Sequence, residues 1–175
     1  MKISTGFDYN LYLVGLSGTG KSTCGKILSQ RLSLTFIDLD KEIIKNEKTS
    51  ISNIFKYKGE KYFRKIENNI LKKYSKKINC IIATGGGIVE NYSNIEIMKN
   101  TGKIIWLRAS PKQISKRLNS KYAEHRPLLG ETPKVENIAE MLEKRQHLYN
   151  KAEFKIDTNK NSPNEIATTL SKLLQ

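Results

Sequence analysis

Residues 11–23 constrain this chain more than any other stretch. They read as an apolar run, Leu11-Tyr12-Leu13-Val14, then Gly15-Leu16-Ser17-Gly18-Thr19-Gly20-Lys21-Ser22, then helix-forming residues. A G-x-x-x-x-G-K-S segment between a strand and a helix builds a cradle for nucleotide phosphates. Gly15, Gly18 and Gly20 permit the positive-φ backbone that turns N–H groups inward on an anion. A helix opening near Lys21 adds the positive end of its dipole and its unpaired N–H donors. In such a cradle Gly18, Thr19, Gly20 and Thr23 lie against the phosphates. Lys21 reaches the β- and γ-phosphates, and the Ser22 hydroxyl binds Mg²⁺.

The rest of the chain says what carries this loop. Short apolar runs at 11–14, 35–38, 80–84, 103–107 and 154–157 predict five strands. Helical patterns fall between them at 21–32, 60–75, 111–118 and 135–150, with a last one at 163–174. This alternation predicts an α/β domain in three layers, its five-stranded sheet mainly parallel and covered by helices on both faces. Ligands of such sheets gather at the carboxyl ends of the strands. The 175 residues suffice for one domain, and neither a repeat nor a linker divides them. Residues 119–133 are polar, contain Pro127, Gly130 and Pro133, and have the length of a functional loop such as a lid.

Composition narrows the partners. The formal net charge of +14 admits nucleic acid in principle. The lysines, however, are spread along the chain among Ile and Asn, and no nucleic-acid-reading motif accompanies them, so a solvated basic surface is expected. No apolar run approaches the roughly 20 residues that a membrane span needs, and residues 1–10 lack the apolar core of a secretory signal. Cys24 and Cys80 have no C-x-x-C spacing, which predicts reduced thiols in a cytoplasmic protein.

Three further segments carry chemistry. In Phe36-Ile37-Asp38-Leu39-Asp40 the two carboxylates stand two residues apart, and on an extended chain both face the cradle. Like charges so close call for a cation or a substrate hydroxyl between them. Asp38 then suits Mg²⁺ and Asp40 suits the proton of an alcohol nucleophile. Asp40 equally reads as an N-cap for a helix beginning at Lys41. The strand 80–84 runs into Gly85, Gly86 and Gly87, which admits either close approach of a ligand to bare backbone or a sharp turn alone. His125-Arg126-Pro127 in the lid offers an arginine that either closes over the nucleotide or is merely solvated.

Two arginines differ in what their helices say. In 135–150 the apolar positions Val135, Ile138, Ala139, Leu142 and Tyr149 define one face, and Arg145 falls on its flank. A charge there requires an anion, supplied by an internal carboxylate or by a bound one. Arg64 lies away from the stripe Tyr62, Phe63, Ile66, Ile70 and Tyr74, where pairing with Glu67 on the surface accounts for it.

Taken in order, these segments resemble the shikimate kinase family nearly end to end. The resemblance runs from the loop 15–22 through Asp38-Leu39-Asp40 and Phe63-Arg64-Lys65-Ile66-Glu67. It continues through Gly85-Gly86-Gly87 and Arg126-Pro127-Leu128-Leu129 to Arg145 and Leu148-Tyr149. It implies a P-loop fold of the nucleoside monophosphate kinase type and transfer of the ATP γ-phosphoryl group to the 3-hydroxyl of shikimate. By the same resemblance Asp40 binds the shikimate hydroxyls and serves as, or positions, the base. Arg64 and Arg145 clamp the carboxylate, Glu67 orients Arg64, and Gly86 and Gly87 contact the ring. Phe55 and Phe63 wall the pocket, Arg117 packs near the adenine, Arg126 is the lid arginine, and Ser22 and Asp38 serve Mg²⁺. Shikimate and ATP are then the partners of a cytoplasmic monomer, with no role for nucleic acid or membrane. Two departures stand out: His147 replaces the family's usual Pro, and Lys160 is the nearest basic residue where the family often has Arg beside the adenine.

Overall fold

A computed structural model of the chain describes residues 7–119 and 134–174. The expected lid, Asn119 apart, and with it Arg126, lies outside the described residues.

Five strands, β1 (Asn10–Val14), β2 (Thr35–Asp38), β3 (Cys80–Ala83), β4 (Gly102–Arg108) and β5 (Phe154–Asp157), form one sheet in the order β2-β3-β1-β4-β5. Every pairing is parallel. The chain passes from β1 to β2 at one edge, returns to β3 between them, then crosses over to β4 and β5 on the other side. That reversal puts a crevice at the carboxyl end of β1, where open α/β sheets bind ligands. Alternation along the central strands divides the core in two. Leu11, Leu13, Ile81, Ile105 and Leu107 face α1 (Lys21–Leu32) and α7 (Pro163–Leu173). Tyr12, Val14, Ile82, Ile104 and Trp106 face the opposite way. That second face is covered by α2 (Leu39–Glu47), α3 (Ile51–Ser75), α4 (Tyr92–Thr101), α5 (Pro111–Leu118) and α6 (Val135–Tyr149).

The helix ends follow local chemistry. Ser110 and Ser162 cap α5 and α7, each with Pro at the first turn, and Ser162 with Glu165 completes a reciprocal capping box. Helix α3 begins earlier than its periodicity predicts. Ser50 caps it by accepting from the Asn53 N–H, and Gly59, at φ 78°, breaks the helical path just before the expected start at Glu60. Helix α2 is the helix that the N-cap reading placed at Lys41, starting two residues earlier, whereas α4 escapes the sequence pattern because it is short and opens on residues that also suit loops. No described helix is long and apolar enough to cross a membrane.

Two expectations change here. Strand β2 stops at Asp38, so Asp38 and Asp40 do not share one extended segment. Asp38 is the N-cap of α2, its carboxylate accepting from the Lys41 N–H at 3.3 Å, and Asp40 lies in the first helical turn. The cap thus falls to the first aspartate, because its extended backbone leaves the side chain free to reach N3. On α6, Val135 and Ala139 are exposed, and the buried stripe is Ile138, Arg145 and Tyr149. Arg145 therefore sits within the buried face, at helical spacing from both apolar neighbours, rather than on its flank.

Candidate active site

The loop after β1 adopts the conformation its glycines permit, with φ of 137°, 81° and 96° at Gly15, Gly18 and Gly20. It is cross-braced internally: the Thr19 hydroxyl donates to the Leu16 carbonyl at 2.8 Å. Lys21, only 8% exposed, folds its ammonium back to the carbonyls of Gly15 and Leu16, at 2.7 and 2.9 Å. Its charge is thereby held at the mouth of the loop. Gly20, at the N-cap of α1, has no side chain to cap the helix, whose first turn opens beside exposed Ser22 and Thr23, where the dipole favours an anion. The Ser22 hydroxyl donates to Asp38 Oδ2 at 2.6 Å, joining the loop to the end of β2.

On the far side of the loop, Arg117 of α5 donates to the Gly18 carbonyl and to the Thr158 hydroxyl, both at 3.1 Å. The Thr158 hydroxyl, fully buried, lies 3.0 Å from the Arg108 carbonyl and 3.2 Å from that of Thr19. One threonine thus ties the phosphate loop, the end of β4 and Arg117 together. Nothing in the sequence singles it out, since it stands in a polar run after β5. Cys24 lies beneath the loop, where burial pushes its thiol up to about 11 and keeps it neutral. Lys160 is exposed.

The three glycines after β3 answer a question that the sequence left open. None of them has a positive φ. Each is small because other parts of the protein press on it. A methyl on Gly85 would stand 2.5 Å from Glu67 Oε1 and 3.2 Å from Asp40 Oδ1. On Gly86 it would approach the Ser17 N–H nitrogen to 3.2 Å, and on Gly87 it would stand 2.7 Å from Arg64 Cζ. The glycine run is therefore the seam along which the phosphate loop, Asp40, Glu67 and Arg64 meet. Tyr149, stacked on Trp106 at 5.4 Å, anchors the seam by donating its hydroxyl to the Gly86 carbonyl.

Arg64 and Arg145 meet at this seam. Arg64 donates to Glu67 Oε2 at 2.8 Å, to Glu60 Oε1 at 3.0 Å and to Glu90 Oε2 at 3.1 Å. Arg145, buried on α6, donates to the same Glu90 oxygen at 3.1 Å. The internal carboxylate of the two alternatives for Arg145 is thus present, and it is Glu90. The surface pairing of Arg64 with Glu67 is corrected: the pair exists, but the Glu67 side chain is only 1% exposed. Burial pushes its carboxyl up to about 7, against the pull of Arg64, and nearby Asp40 and Glu90 push the same way. Glu67 Oε1 has no hydrogen-bond partner among the described residues. Phe63 is buried beneath Arg64, whose guanidinium lies 5.4 Å from its ring, and half-buried Phe55 packs on Phe63 at 4.7 Å. His147 is exposed, and α6 runs unbroken through it, so Arg145 stands on a continuous helix where the family's Pro is missing.

A P-loop facing a cleft with two arginines, across a glycine seam on a parallel five-stranded sheet, defines a P-loop kinase of small molecules. Comparison with known proteins narrows the class. The chain belongs to the shikimate kinase family, whose family model matches residues 17–175. It is 42% identical over 163 residues to the shikimate kinase of Thermodesulfovibrio yellowstonii, covering 93% of each chain. With that of Sulfurihydrogenibium sp. it shares 38% over 157 residues, 90% of this chain and 92% of the relative. A solved shikimate kinase from Acinetobacter baumannii in complex with shikimate is similar at a TM-score of 0.89 and 32% identity, covering 95% of this chain and 92% of that one.

Proposed function

We propose that this chain transfers the γ-phosphoryl group of ATP to the 3-hydroxyl of shikimate, giving shikimate 3-phosphate and ADP, a step toward chorismate and the aromatic amino acids. The observation that carries the reading is the convergence of Arg64 and Arg145 on one carboxylate oxygen beside Asp40 and the phosphate loop. Planar guanidinium forks suit a carboxylate, and a six-membered acid anchored there extends its hydroxyls toward Asp40. Gly86 and Gly87 line the ring, Phe55 and Phe63 wall it, and Glu67 aims Arg64.

Gly18, Thr19, Gly20, Ser22 and Thr23 hold the phosphates by backbone and hydroxyl donors, while Lys21 leaves its carbonyl partners for the β- and γ-phosphates. Arg117 packs against the adenine. Ser22 and Asp38 would hold Mg²⁺: two hard oxygens from protein, the rest from phosphates and water, fit that cation's usual coordination. When bound, the ion neutralises phosphate charge.

In the transfer itself the substrate 3-oxygen bonds to the γ-phosphorus as the bond to the β–γ bridging oxygen breaks and ADP leaves. The hydroxyl proton passes to Asp40. Lys21, with Arg126 from the lid, stabilises charge on the moving group, and closure of the lid excludes water as an acceptor. The enzyme acts as a one-domain monomer in the cytoplasm, a reading that its two buried, unbridged cysteines support. Its scattered lysines favour neither nucleic acid nor membrane as a partner.

The test is a coupled ADP-release assay with shikimate, gluconate and nucleoside monophosphates offered in turn. Shikimate-dependent release far above the others is expected. Equal or greater turnover with gluconate or a nucleotide would overturn the assignment.

A further inference from the structure

Glu90 has no role in the reaction just described, yet it occupies the centre of the acid-binding half of the cleft. Its Oε2 accepts from both Arg64 and Arg145 at 3.1 Å, the place that the proposed clamp reserves for a substrate carboxylate. Among the described residues, three carboxylates surround the two guanidinium groups: Glu60, Glu67 and Glu90. They differ in freedom to move. Glu67 is 1% exposed and locked on α3 by a 2.8 Å bond, and Glu60, itself exposed, bonds to Arg64 but, among the described residues, not to Arg145. Glu90 ends the short 3₁₀ turn Ile88–Glu90 and is 41% exposed at its side chain. Its bonds, through one oxygen, are longer than the 2.7–2.9 Å usual for charged N–H···O pairs, so it holds the arginines more loosely than Glu67 does.

We propose that Glu90 is a built-in stand-in for the substrate carboxylate, which keeps Arg64 and Arg145 converged until the acid binds and is then displaced into solvent. The inference rests on the clamp reading of the two arginines. It makes Glu90 a positioning and selectivity residue. A carboxylate that brings nothing else only exchanges one anion for another, whereas an acid whose hydroxyls also reach Asp40 gains enough to evict it.

The experiment compares wild type, Glu90→Gln and Arg145→Ala for shikimate binding by calorimetry and for steady-state KM and kcat. The amide cannot compete as an anion, so Glu90→Gln is expected to lower Kd and KM for shikimate roughly two- to fivefold, the scale of a partly exposed ion pair. The change in kcat is smaller and KM for ATP is unmoved. An unchanged or raised shikimate Kd in Glu90→Gln overturns the proposal. So does a wild-type complex with shikimate in which Glu90 still bridges both arginines. Arg145→Ala separates the two readings. If it weakens shikimate binding while Glu90→Gln fails to tighten it, only the stand-in role falls; if it leaves binding untouched, the clamp falls as well.

Discussion

Glu67 offers a perturbation whose size follows from its surroundings. It is buried against the glycine seam, bonded to Arg64, and its carboxyl is pushed from the ordinary 4.5 up to about 7, mainly by loss of water. An acid with a raised folded-state pKa keeps its proton in the native protein while the unfolded chain has already released it. Stability is therefore greatest below the unfolded value and falls as pH rises from about 4.5 through 7. A displacement of that extent corresponds to roughly 3 kcal/mol in all, of which about 2–3 kcal/mol is lost between pH 5 and 8. Glu67→Gln keeps the shape and cannot ionise. Any constant cost of the substitution, such as a poorer bond to Arg64, cancels when the two proteins are compared across pH. Urea unfolding at a series of pH values, followed by the fluorescence of the single tryptophan, buried Trp106, gives the comparison. The variant is expected to gain on wild type by about 2–3 kcal/mol as pH rises over that range. Curves that stay parallel within about 0.5 kcal/mol would refute the argument that a desolvated carboxylate underlies Arg64.

The other expectations concern the reaction. Asp40→Asn should lower kcat by about 10²–10⁴ while leaving the Kd of ATP near wild type, and near-normal turnover would remove Asp40 from proton transfer. Gly87→Ala places a methyl 2.7 Å from Arg64 Cζ and should raise KM for shikimate roughly tenfold to a hundredfold with little change in KM for ATP. Equal losses for both substrates would point to a collapsed loop instead. Arg145→Ala should weaken shikimate binding far more than ATP binding, and a similar loss of both would make it a structural residue.

The central strands were legible in the chain because a buried parallel sheet needs continuous apolar runs, as at 11–14, 80–84 and 103–107, while the edge strands at 35–38 and 154–157 are only part-buried and mix apolar with polar residues. The phosphate loop was legible because its backbone demands particular glycines. The acid-binding half was harder to read. The Arg64–Glu67 pair looks like any i,i+3 surface pair until the glycine seam covers it. Periodicity put Arg145 beside the apolar stripe when it lies inside it, because Val135 and Ala139 drew the stripe toward a face that is exposed. Glu90 carries no sequence signal at all: an exposed acid in a turn becomes central only because α3 and α6 bring two distant guanidinium groups to it. Thr158 is the same case on the nucleotide side.

The buried Thr158 hydroxyl gives the two ends of the cleft different mechanical characters. The nucleotide end is riveted by hydrogen bonds from Thr158, Arg117 and Lys21 to backbone carbonyls, whose neutral acceptors dissolved ions do not compete for. The acid end is suspended between opposite charges near water, which ions do reach. Raising ionic strength should therefore slacken the grip on the acid while the seat for the triphosphate keeps its shape.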